Sequence, residues 1–329
     1  MTSSVTYQMY GMRVASELLL HQDRVVDGGG PPDVVLTVGE SRSVPTTEPG
    51  GLRLAHAVDN DGTRYYSFAR RDDGSYVLRW YGICDFEVSA DLSAVVLHLD
   101  PSADAGFASV LASGTLIAFL IMMGGAPLLH ASAVEIEGQA LALAFVGFSG
   151  MGKSTMATIM CAAGAGLITD DTLRLDLEGG AVRCHLGATE TRLRPSAAEL
   201  TTAVATGTGH RRTSDNRDAL RVPAAQTERL PLAAIVIPQP VKHTDEVAVE
   251  RLRGVDALLM LSRFPRIVGW EEPTALQRQF EFVADIVERV PVYVGYLPWG
   301  PPFAHDLAQR LLAGIDVLGL AQTPVLGSR

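Results

Sequence analysis

The residues best suited to chemistry lie in residues 139–155, QALALAFVGFSGMGKST. This segment contains the pattern G-x-x-x-x-G-K-[ST], formed by Gly147, Gly152, Lys153 and Ser154. Glycines let backbone N–H groups close around phosphate oxygens, and a helix N-terminus adds partial positive charge. The lysine would reach the β- and γ-phosphates, and the serine hydroxyl would bind Mg²⁺. The pattern therefore predicts a nucleotide phosphate site.

The surrounding elements are those that such a loop requires. The apolar run Leu141–Val146 before it reads as a buried strand, and residues 154–163 after it read as a helix that stops at Gly164. A chance match in a turn rich in glycine and serine would lack this strand–loop–helix setting.

Two adjacent carboxylates, Asp170 and Asp171, end the next predicted strand, GLITDD at 166–171. A parallel α/β sheet places the carboxyl end of that strand beside the phosphate loop. One carboxylate could hold Mg²⁺ while the other accepts the proton of an attacking hydroxyl. The alternative is an aspartate pair that only begins a turn. The neighbouring loop favours the functional interpretation.

Other candidates carry weaker signals. His130, in LLHASAV, lies on the strand before the loop strand, where a core histidine is the alternative. Arg263 and Arg266, in SRFPR, could neutralise charge on a transferring phosphoryl group or form a solvated face, and Arg263 is the one named as catalytic. Glu190 is a candidate second metal ligand. Further candidate contacts for an acceptor or for phosphate are Arg192, Arg194 and residues 210–212.

Composition limits the classes of protein to consider. The 329 residues are enough for two domains, and 47% hydrophobic residues allow a large core. A net charge of −10 without a run of Lys or Arg argues against a nucleic-acid partner. Three scattered cysteines fit a reducing cytosol, and the N-terminus is not a good signal peptide. The uncharged segment 105–123 is interpreted as a buried core helix, so no membrane is expected.

The pattern along the chain predicts four parts. Residues 1–104 form a β-rich N-terminal domain, 105–127 a connecting buried helix, 128–315 a phosphate-loop domain and 316–329 a tail. The fold class is α/β (α+β), with a mixed sheet flanked by helices in the second domain. Residues 128–136 and 139–146 read as a hairpin that leads into the loop, and the polar stretch 201–229 reads largely as a loop.

The motifs LHASAV, GFSGMGKST and GAGLITDD together resemble the HPr kinase/phosphorylase superfamily, whose catalytic domain is similar to phosphoenolpyruvate carboxykinase. The resemblance implies that Ser154 is the Mg²⁺ ligand, Asp170 the general base and Asp171 the residue facing the metal. His130 matches the histidine of the family. The implied phosphate contacts are Gly147, Ser149, Gly150, Met151, Gly152, Lys153, Ser154 and Thr155.

The whole layout is more similar to the HPr-kinase-like proteins found beside ribosomally made peptides, notably lasso-peptide tailoring kinases. These share the β-rich first region, the three motifs, an arginine-containing segment and a final V-P-V-Y strand. The segment CHLGATETRLRP replaces the E-[IV]-R-G-L-G of the true HPr kinase, and the first half does not resemble its regulatory domain. The resemblance implies ATP-dependent phosphorylation of a peptide serine.

The leading hypothesis is therefore a cytoplasmic Mg²⁺-ATP-dependent kinase that acts on a Ser or Thr hydroxyl of a peptide or small protein. The alternatives are a kinase of a sugar or amino acid, a regulatory kinase directed at HPr, and a module that binds nucleotide without catalysis. The intact set of Lys153, Ser154, Asp170 and Asp171 argues against the last of these. Assembly into a homo-oligomer stays open.

Overall fold

The computed structural model of the chain describes residues 4–59, 61–194, 197, 200 and 210–318. Within these residues the fold is a mixed α/β arrangement of two large sheets and one small sheet with packed helices, in agreement with the predicted fold class. The strands of the first sheet are β1 (Val5–Met9), β2 (Met12–Ser16), β3 (Val34–Val38), β4 (Leu52–Val58), β5 (Arg64–Arg70), β6 (Tyr76–Trp80), β7 (Cys84–Val88) and β8 (Ala94–Leu99).

The first sheet has the strand order β1-β2-β3-β8-β7-β6-β5-β4. Its pairs are antiparallel except where β3 lies parallel to β2 and to β8. The predicted β-rich first region is confirmed, but β4 at the sheet edge was not predicted. Buried and exposed residues do not alternate along β4, whose pairing with β5 is interrupted by two register shifts, and a segment from the distant residues 269–271 pairs with its outer edge.

Residues 105–123 form one continuous helix made of α1 (Ala105–Leu111), a π-helical turn (Ala112–Leu116) and α2 (Ile117–Met123). This helix is long and apolar enough to cross a membrane, yet 61% of its apolar window is buried inside the protein. The Phe119 ring centroid lies 6.0 Å from that of Phe68 and 5.4 Å from that of Tyr76. The helix thus packs on the first sheet as a core helix.

The second large sheet follows this helix. Its strands are β9 (Leu128–Leu129), β10 (Ala131–Ile136), β11 (Leu141–Val146), β12 (Gly166–Thr169), β13 (Leu173–Glu178), β14 (Ala181–His185), β18 (Arg229–Val241), β19 (Ala248–Leu252) and β20 (Val292–Pro298). β11, β18 and β20 are parallel neighbours, and β10 lies antiparallel between β11 and β12. The carboxyl ends of β11 and β12 and the start of β10 therefore meet at one edge.

The predicted strand over 128–136 is corrected by the structure, which divides it at His130. β9 pairs with β13, whereas β10 pairs with β11 and β12. An apolar run does not reveal this change of partner, because both halves keep the composition of a buried strand. The division leaves His130 at the sheet edge where the phosphate loop begins.

Further helices with described bounds are α3 (Lys153–Ala162), α4 (Gly254–Ser262), α5 (Pro273–Arg289) and α6 (Leu307–Ala313), followed by a 3₁₀ turn (Asp316–Leu318). A small antiparallel sheet contains β15 (Glu190–Leu193), β16 (His210–Arg212) and β17 (Asp218–Arg221), with β17 in the middle. The predicted loop over 201–229 is therefore wrong for the two strands β16 and β17. Residues 201–209, and residues 319–329 of the predicted tail, lie outside the described residues.

The turn between β1 and β2 packs directly on the second half of the chain. Tyr10 is buried there, donates its backbone N–H to the carbonyl of Leu186 at 2.6 Å and accepts from Arg174 Nη1 at 2.6 Å. Its hydroxyl lies 3.3 Å from Thr169 Oγ1, at the end of β12. The first sheet thus supports the strand that carries the aspartate pair. The division into domains at 104, 127 and 315 stays a prediction.

Candidate active site

The loop from Gly147 to Gly152 connects β11 to α3. Gly150 and Gly152 have φ angles of 93° and 92°, a left-handed backbone that glycine adopts without strain. A Cβ atom at Gly152 would also lie 2.4 Å from the ring of Trp299. Gly152, the last glycine of the pattern, is therefore required both by its left-handed backbone and by the close ring of Trp299. Trp299 was not predicted, because it follows β20, far from the loop in sequence.

Lys153 begins α3 and folds back over the loop. Its ammonium donates to the carbonyl of Gly147 at 2.9 Å and of Phe148 at 3.2 Å, and lies 3.0 Å from Nε2 of His130. The residue is only 6% exposed, and this burial lowers the pKa of Lys153 from 10.5 to about 8. A cation held by neutral acceptors in a desolvated position is well suited to exchange them for phosphate oxygens.

His130 links this lysine to the aspartate pair. Its Nδ1 lies 2.9 Å from the backbone carbonyl of Asp171, and its Nε2 faces the ammonium of Lys153. An ammonium has no acceptor, so Nε2 accepts from Lys153 and Nδ1–H donates to the carbonyl. Burial lowers the pKa of His130 from 6.5 to about 4, which keeps the ring neutral at pH 7. His130 therefore orients Lys153 and the backbone at Asp171, and both of its ring nitrogens are engaged by these two contacts.

Asp170 follows β12 and is buried. Its Oδ1 accepts from the hydroxyl of Ser154 at 2.8 Å and from the hydroxyl of Ser132, and its Oδ2 accepts from the backbone N–H of Arg192 at 2.9 Å. Three donors thus fix this carboxylate against the start of α3. Ser132 was not predicted, although it stands two residues after His130 in the same motif, and side chains two apart on a strand share a face.

Asp171 turns the other way, because its backbone has a positive φ of 77°. Its Oδ2 lies 2.7 Å from Arg266 Nη2 and 3.4 Å from Arg192 Nη2, and its Oδ1 lies 3.4 Å from Nδ1 of His130. Burial alone would raise the pKa of Asp171, but the guanidinium of Arg266 and the other cations outweigh burial and hold the pKa far below its usual range. This carboxylate is therefore ionised near neutral pH.

Of the two arginines in SRFPR, Arg266 reaches the site. Its side chain is 8% exposed, and Nε donates to Thr172 Oγ1 at 2.7 Å while Nη2 pairs with Asp171. Arg263 is exposed at the end of α4, and its guanidinium lies 3.9 Å from the sulfur of Met260. This corrects the sequence analysis, which named Arg263 as the catalytic arginine. Two arginines three residues apart cannot be ranked from sequence alone.

Two other predicted arginines lie near the loop. Arg192 pairs with Asp171 and, at 3.5 Å, with Asp215. Arg194 donates to the hydroxyl of Ser149 at 2.9 Å. Residues 210–212 form β16, where Arg211 and Arg212 are paired with Glu190 and Asp218 rather than with the loop.

Glu190 is paired with two arginines rather than with Ser154 or Asp171. Its side chain is 9% exposed and accepts from Arg211 Nη2 at 2.7 Å, with Arg221 Nε 3.8 Å from its other oxygen. Among the described residues, no group of three or more His, Cys, Asp or Glu side chains is arranged to hold a metal ion. Within the predicted set of Ser154, Asp171 and Glu190, both carboxylates are paired with arginines. The hydroxyl of Ser154 contacts Asp170 instead, because the two aspartates point to opposite sides.

A cavity of about 630 Å³ opens beside the phosphate loop. Part of its wall is polar or charged and comes from the second half of the chain, namely His130, Lys153, Ser154, Asp171, Arg192, Arg194, Arg217 and Arg266. Another part belongs to β4 and β5 of the first sheet and the turn between them, namely Ala57, Val58, Asp59, Tyr65 and Tyr66. Its volume falls within the range of small-molecule sites, about 300–1,000 Å³. Asp171 lines this cavity, whereas Asp170 does not.

No family model matches the sequence, and no curated protein matches it either. Among solved structures the chain is similar to the HPr(Ser) kinase/phosphatase from Coxiella burnetii. The likeness covers 56% of this chain and 93% of the other, with 13% identity and a TM-score of 0.29. A likeness of this degree carries no inference, so the chemistry of the site rests on the side chains described above.

The donor set fits a nucleotide with its metal. The loop has glycines at the two left-handed positions, and the buried ammonium of Lys153 has exchangeable partners. The hydroxyl of Ser154 and the carboxylate of Asp170 lie 2.8 Å apart and offer the oxygen ligands that Mg²⁺ prefers. Few protein ligands are needed, because Mg²⁺ keeps several of its waters and also binds substrate phosphates.

Proposed function

We propose that this protein is a Mg²⁺-ATP-dependent kinase that transfers phosphate to a hydroxyl group. One observation carries the proposal. The phosphate loop brings Lys153 and Ser154 against one buried carboxylate, Asp170, while a second carboxylate, Asp171, lies on the wall of an open cavity between two arginines. A kinase needs these parts, since phosphoryl transfer is catalysed mainly by positioning and charge neutralisation.

The side of the site that binds nucleotide would use the loop and α3. Backbone N–H groups of the loop and the ammonium of Lys153 would bind phosphate oxygens, and Ser154 with Asp170 would hold the metal. Bound Mg²⁺-ATP supplies the phosphoryl group and neutralises its developing charge. His130 would hold Lys153 in place by accepting its hydrogen bond, as it does at 3.0 Å here.

The two aspartates receive roles from their contacts. Asp170 has all its visible partners among Ser132, Ser154 and the N–H of Arg192, and it does not line the cavity. We therefore assign the metal side to Asp170 and the acceptor side to Asp171, the reverse of the assignment implied by the resemblance. The low pKa of Asp171 makes it a weak base, so it would orient the acceptor hydroxyl and accept its proton as the new bond forms in a loose transition state.

Two arginines would neutralise the negative charge on the phosphoryl group during its transfer. Arg266 and Arg192 both pair with Asp171 at the cavity wall. A phosphoryl group placed between Lys153 and Asp171 would lie within reach of both guanidiniums. Arginine suits this task, since its planar donors match phosphate oxygens in pairs.

The acceptor is proposed to be a Ser or Thr hydroxyl of a peptide, with tailoring of a ribosomally made peptide as the specific proposal. The support is the resemblance in layout together with the position of the cavity, which opens between the phosphate loop and the first sheet. A segment of extended peptide could lie against β4 and β5 with its hydroxyl near Asp171.

Incubation with γ-labelled ATP and a panel of acceptors tests both levels of the proposal. The panel contains peptides encoded beside the gene, HPr, sugars and free amino acids, and the negative control is Lys153→Met. Label on a peptide serine supports the full proposal, while label on a sugar, an amino acid or HPr keeps the kinase and replaces the acceptor. Tight ATP binding with no labelled product in any arm, and no ATP hydrolysis, would reduce the protein to a nucleotide-binding module.

A further inference from the structure

One short segment of the second half of the chain docks on the edge of the first sheet. We call residues 265–271 the strap. It leaves α4 and runs along the outer edge of β4, where the N–H of His56 donates to the carbonyl of Gly269 at 3.0 Å. The N–H of Glu271 donates to the carbonyl of Leu54 at 2.7 Å. The strap therefore extends the first sheet by one short strand-like segment.

Side chains also fix the strap to the first sheet and to the core helix. Ile267 is 3% exposed within the core of the first sheet, and the ring of Trp270 lies 6.1 Å from that of Phe119 in the core helix. The hydroxyl of Tyr66 donates to the carbonyl of Val268. Burial raises the pKa of Tyr66 to about 12, so this hydroxyl keeps its proton at any working pH.

Gly269 makes the close approach of the two backbones possible. Its φ is 69°, and a Cβ atom at this position would lie 1.8 Å from the carbonyl oxygen of His56. A contact this short involves backbone on both sides, so a side chain here must push the strap away from β4. Gly269→Ala, which adds one methyl group, is therefore expected to disrupt the docking of the strap on β4.

Arg266 is the second residue of the strap, next to the buried anchor Ile267. Its guanidinium is held at the other end by Thr172 and Asp171, each at 2.7 Å. Only 8% of the side chain is exposed, so Arg266 has little room to correct for a shifted backbone. A movement of about 1 Å in the strap would therefore be passed to the guanidinium, and such misplacement of a catalytic group can slow a reaction about 10²-fold.

We infer that the first sheet is a positioning element of the kinase, which sets the place of Arg266 through the docked strap. This inference rests on the proposed function. It assigns Gly269 and Tyr66 as positioning residues, which act on the transferred group through the strap and Arg266. Because β4 and β5 also contribute to the cavity wall, an acceptor bound there would press on the same strands that hold the strap.

The test is a double-mutant cycle between Gly269→Ala and Arg266→Ala. Gly269→Ala is expected to lower kcat at least tenfold while KM for ATP rises about three- to fivefold, and Arg266→Ala to lower kcat by about 10²–10³. If the strap acts through Arg266, Gly269→Ala changes kcat less than about twofold in the Arg266→Ala background. If Gly269→Ala lowers kcat by the same factor in the parent and in Arg266→Ala, the inference is overturned.

Gly82→Ala is the matched control. Gly82 lies in a turn of the same sheet with a φ of 70°, and a Cβ there would meet nothing within 4 Å. It carries the same backbone strain without touching the strap, so its kcat is expected to equal that of the parent. Gly269→Ala with the kcat of Gly82→Ala would refute the positioning role. If Gly269→Ala does not fold, Tyr66→Phe tests the same contact, with Tyr81→Phe, whose hydroxyl bonds Ser67, as its control.

A binding measurement separates failure of this inference from failure of the proposed function. The ratio of ATP to ADP affinity reports contacts to the γ-phosphate without any acceptor. Gly269→Ala is expected to lower this ratio at least threefold while ADP affinity is unchanged, because the γ-phosphate is the only part of the nucleotide that Arg266 would contact under the proposed function. A parent that binds no nucleotide contradicts the proposed function. A parent that favours ATP, with an unchanged ratio in Gly269→Ala, contradicts the strap alone.

Discussion

The buried charge of Lys153 leads to a prediction about stability as well as binding. In the unliganded protein its ammonium has only neutral acceptors, and burial lowers its pKa from 10.5 to about 8. At about 1.4 kcal/mol per pH unit, holding this charge in the fold costs about 3 kcal/mol at pH 7. Lys153→Met removes the charge and keeps most of the side-chain volume.

The expected gain is smaller than the full cost. The variant gives up the hydrogen bonds to the loop carbonyls and to His130, which together offset about 1 kcal/mol. Lys153→Met should therefore raise the free energy of unfolding by about 2 kcal/mol at pH 7 while abolishing ATP binding. Such a gain would mean that the buried charge of Lys153 destabilises the fold and is kept because ligand binding needs it.

The sign of the pH dependence identifies the cause. A lysine whose folded pKa is lowered binds its proton more weakly in the folded state, so its penalty is complete below pH 8 and vanishes above pH 10.5. The stability advantage of Lys153→Met over the parent should therefore shrink by about 2 kcal/mol between pH 7 and pH 9.5. Taking the difference between the two proteins cancels the titration of the cysteines and tyrosines that they share.

Urea unfolding of both proteins at the two pH values measures this difference, and calorimetry provides a second arm. ATP binding should return Lys153 to its charged form, so the parent should take up a proton on binding at pH 8.5, seen as a dependence of binding enthalpy on the buffer. A variant that is less stable than the parent at pH 7, or an advantage that does not change with pH, would refute the reasoning.

Four further substitutions test the same site. Asp170→Asn should raise the Mg²⁺ concentration needed for activity, and high Mg²⁺ should restore part of the rate. Asp171→Asn should bind Mg²⁺-ATP normally but transfer phosphate roughly 10²–10⁴ times slower. Titration calorimetry and single-turnover assays measure both effects, and the opposite pattern would restore the assignment implied by the resemblance. His130→Gln should remove an acid-induced loss of stability. Because the pKa of His130 falls from 6.5 to about 4, the parent should lose about 2 kcal/mol relative to this variant between pH 7 and pH 4.5, and equal losses in urea unfolding would contradict its buried neutral state. Gly152→Ala should push Trp299 aside, change its fluorescence and abolish ATP binding, so binding at the affinity of the parent would contradict the packing described.

The local parts of the site could be predicted from the sequence. The strand, loop and helix around Gly147 to Ser154 are consecutive in the chain, and the glycine spacing is set by backbone conformation within the loop. The position of the aspartate pair followed from the rule that strand ends meet at one sheet edge. The β-rich first region and the core helix were also predictable, because short β-branched runs and an uncharged apolar segment have strong local signatures.

The partners of these groups could not be predicted, because they come from distant parts of the chain. Arg266 reaches Asp171 across 95 residues, and nothing in SRFPR distinguishes it from Arg263. The division of labour between Asp170 and Asp171 depends on which way each side chain turns at a strand end, and a positive φ at Asp171 decides that.

The sequence by itself therefore determined that a phosphate loop, a histidine and an aspartate pair are present and lie at one sheet edge. Only the tertiary structure decided which carboxylate meets Ser154, which arginine enters the site and that β4 holds the segment carrying Arg266. The physical reason is that a local motif fixes its own backbone, whereas the direction and partners of its side chains depend on packing between residues far apart in the chain.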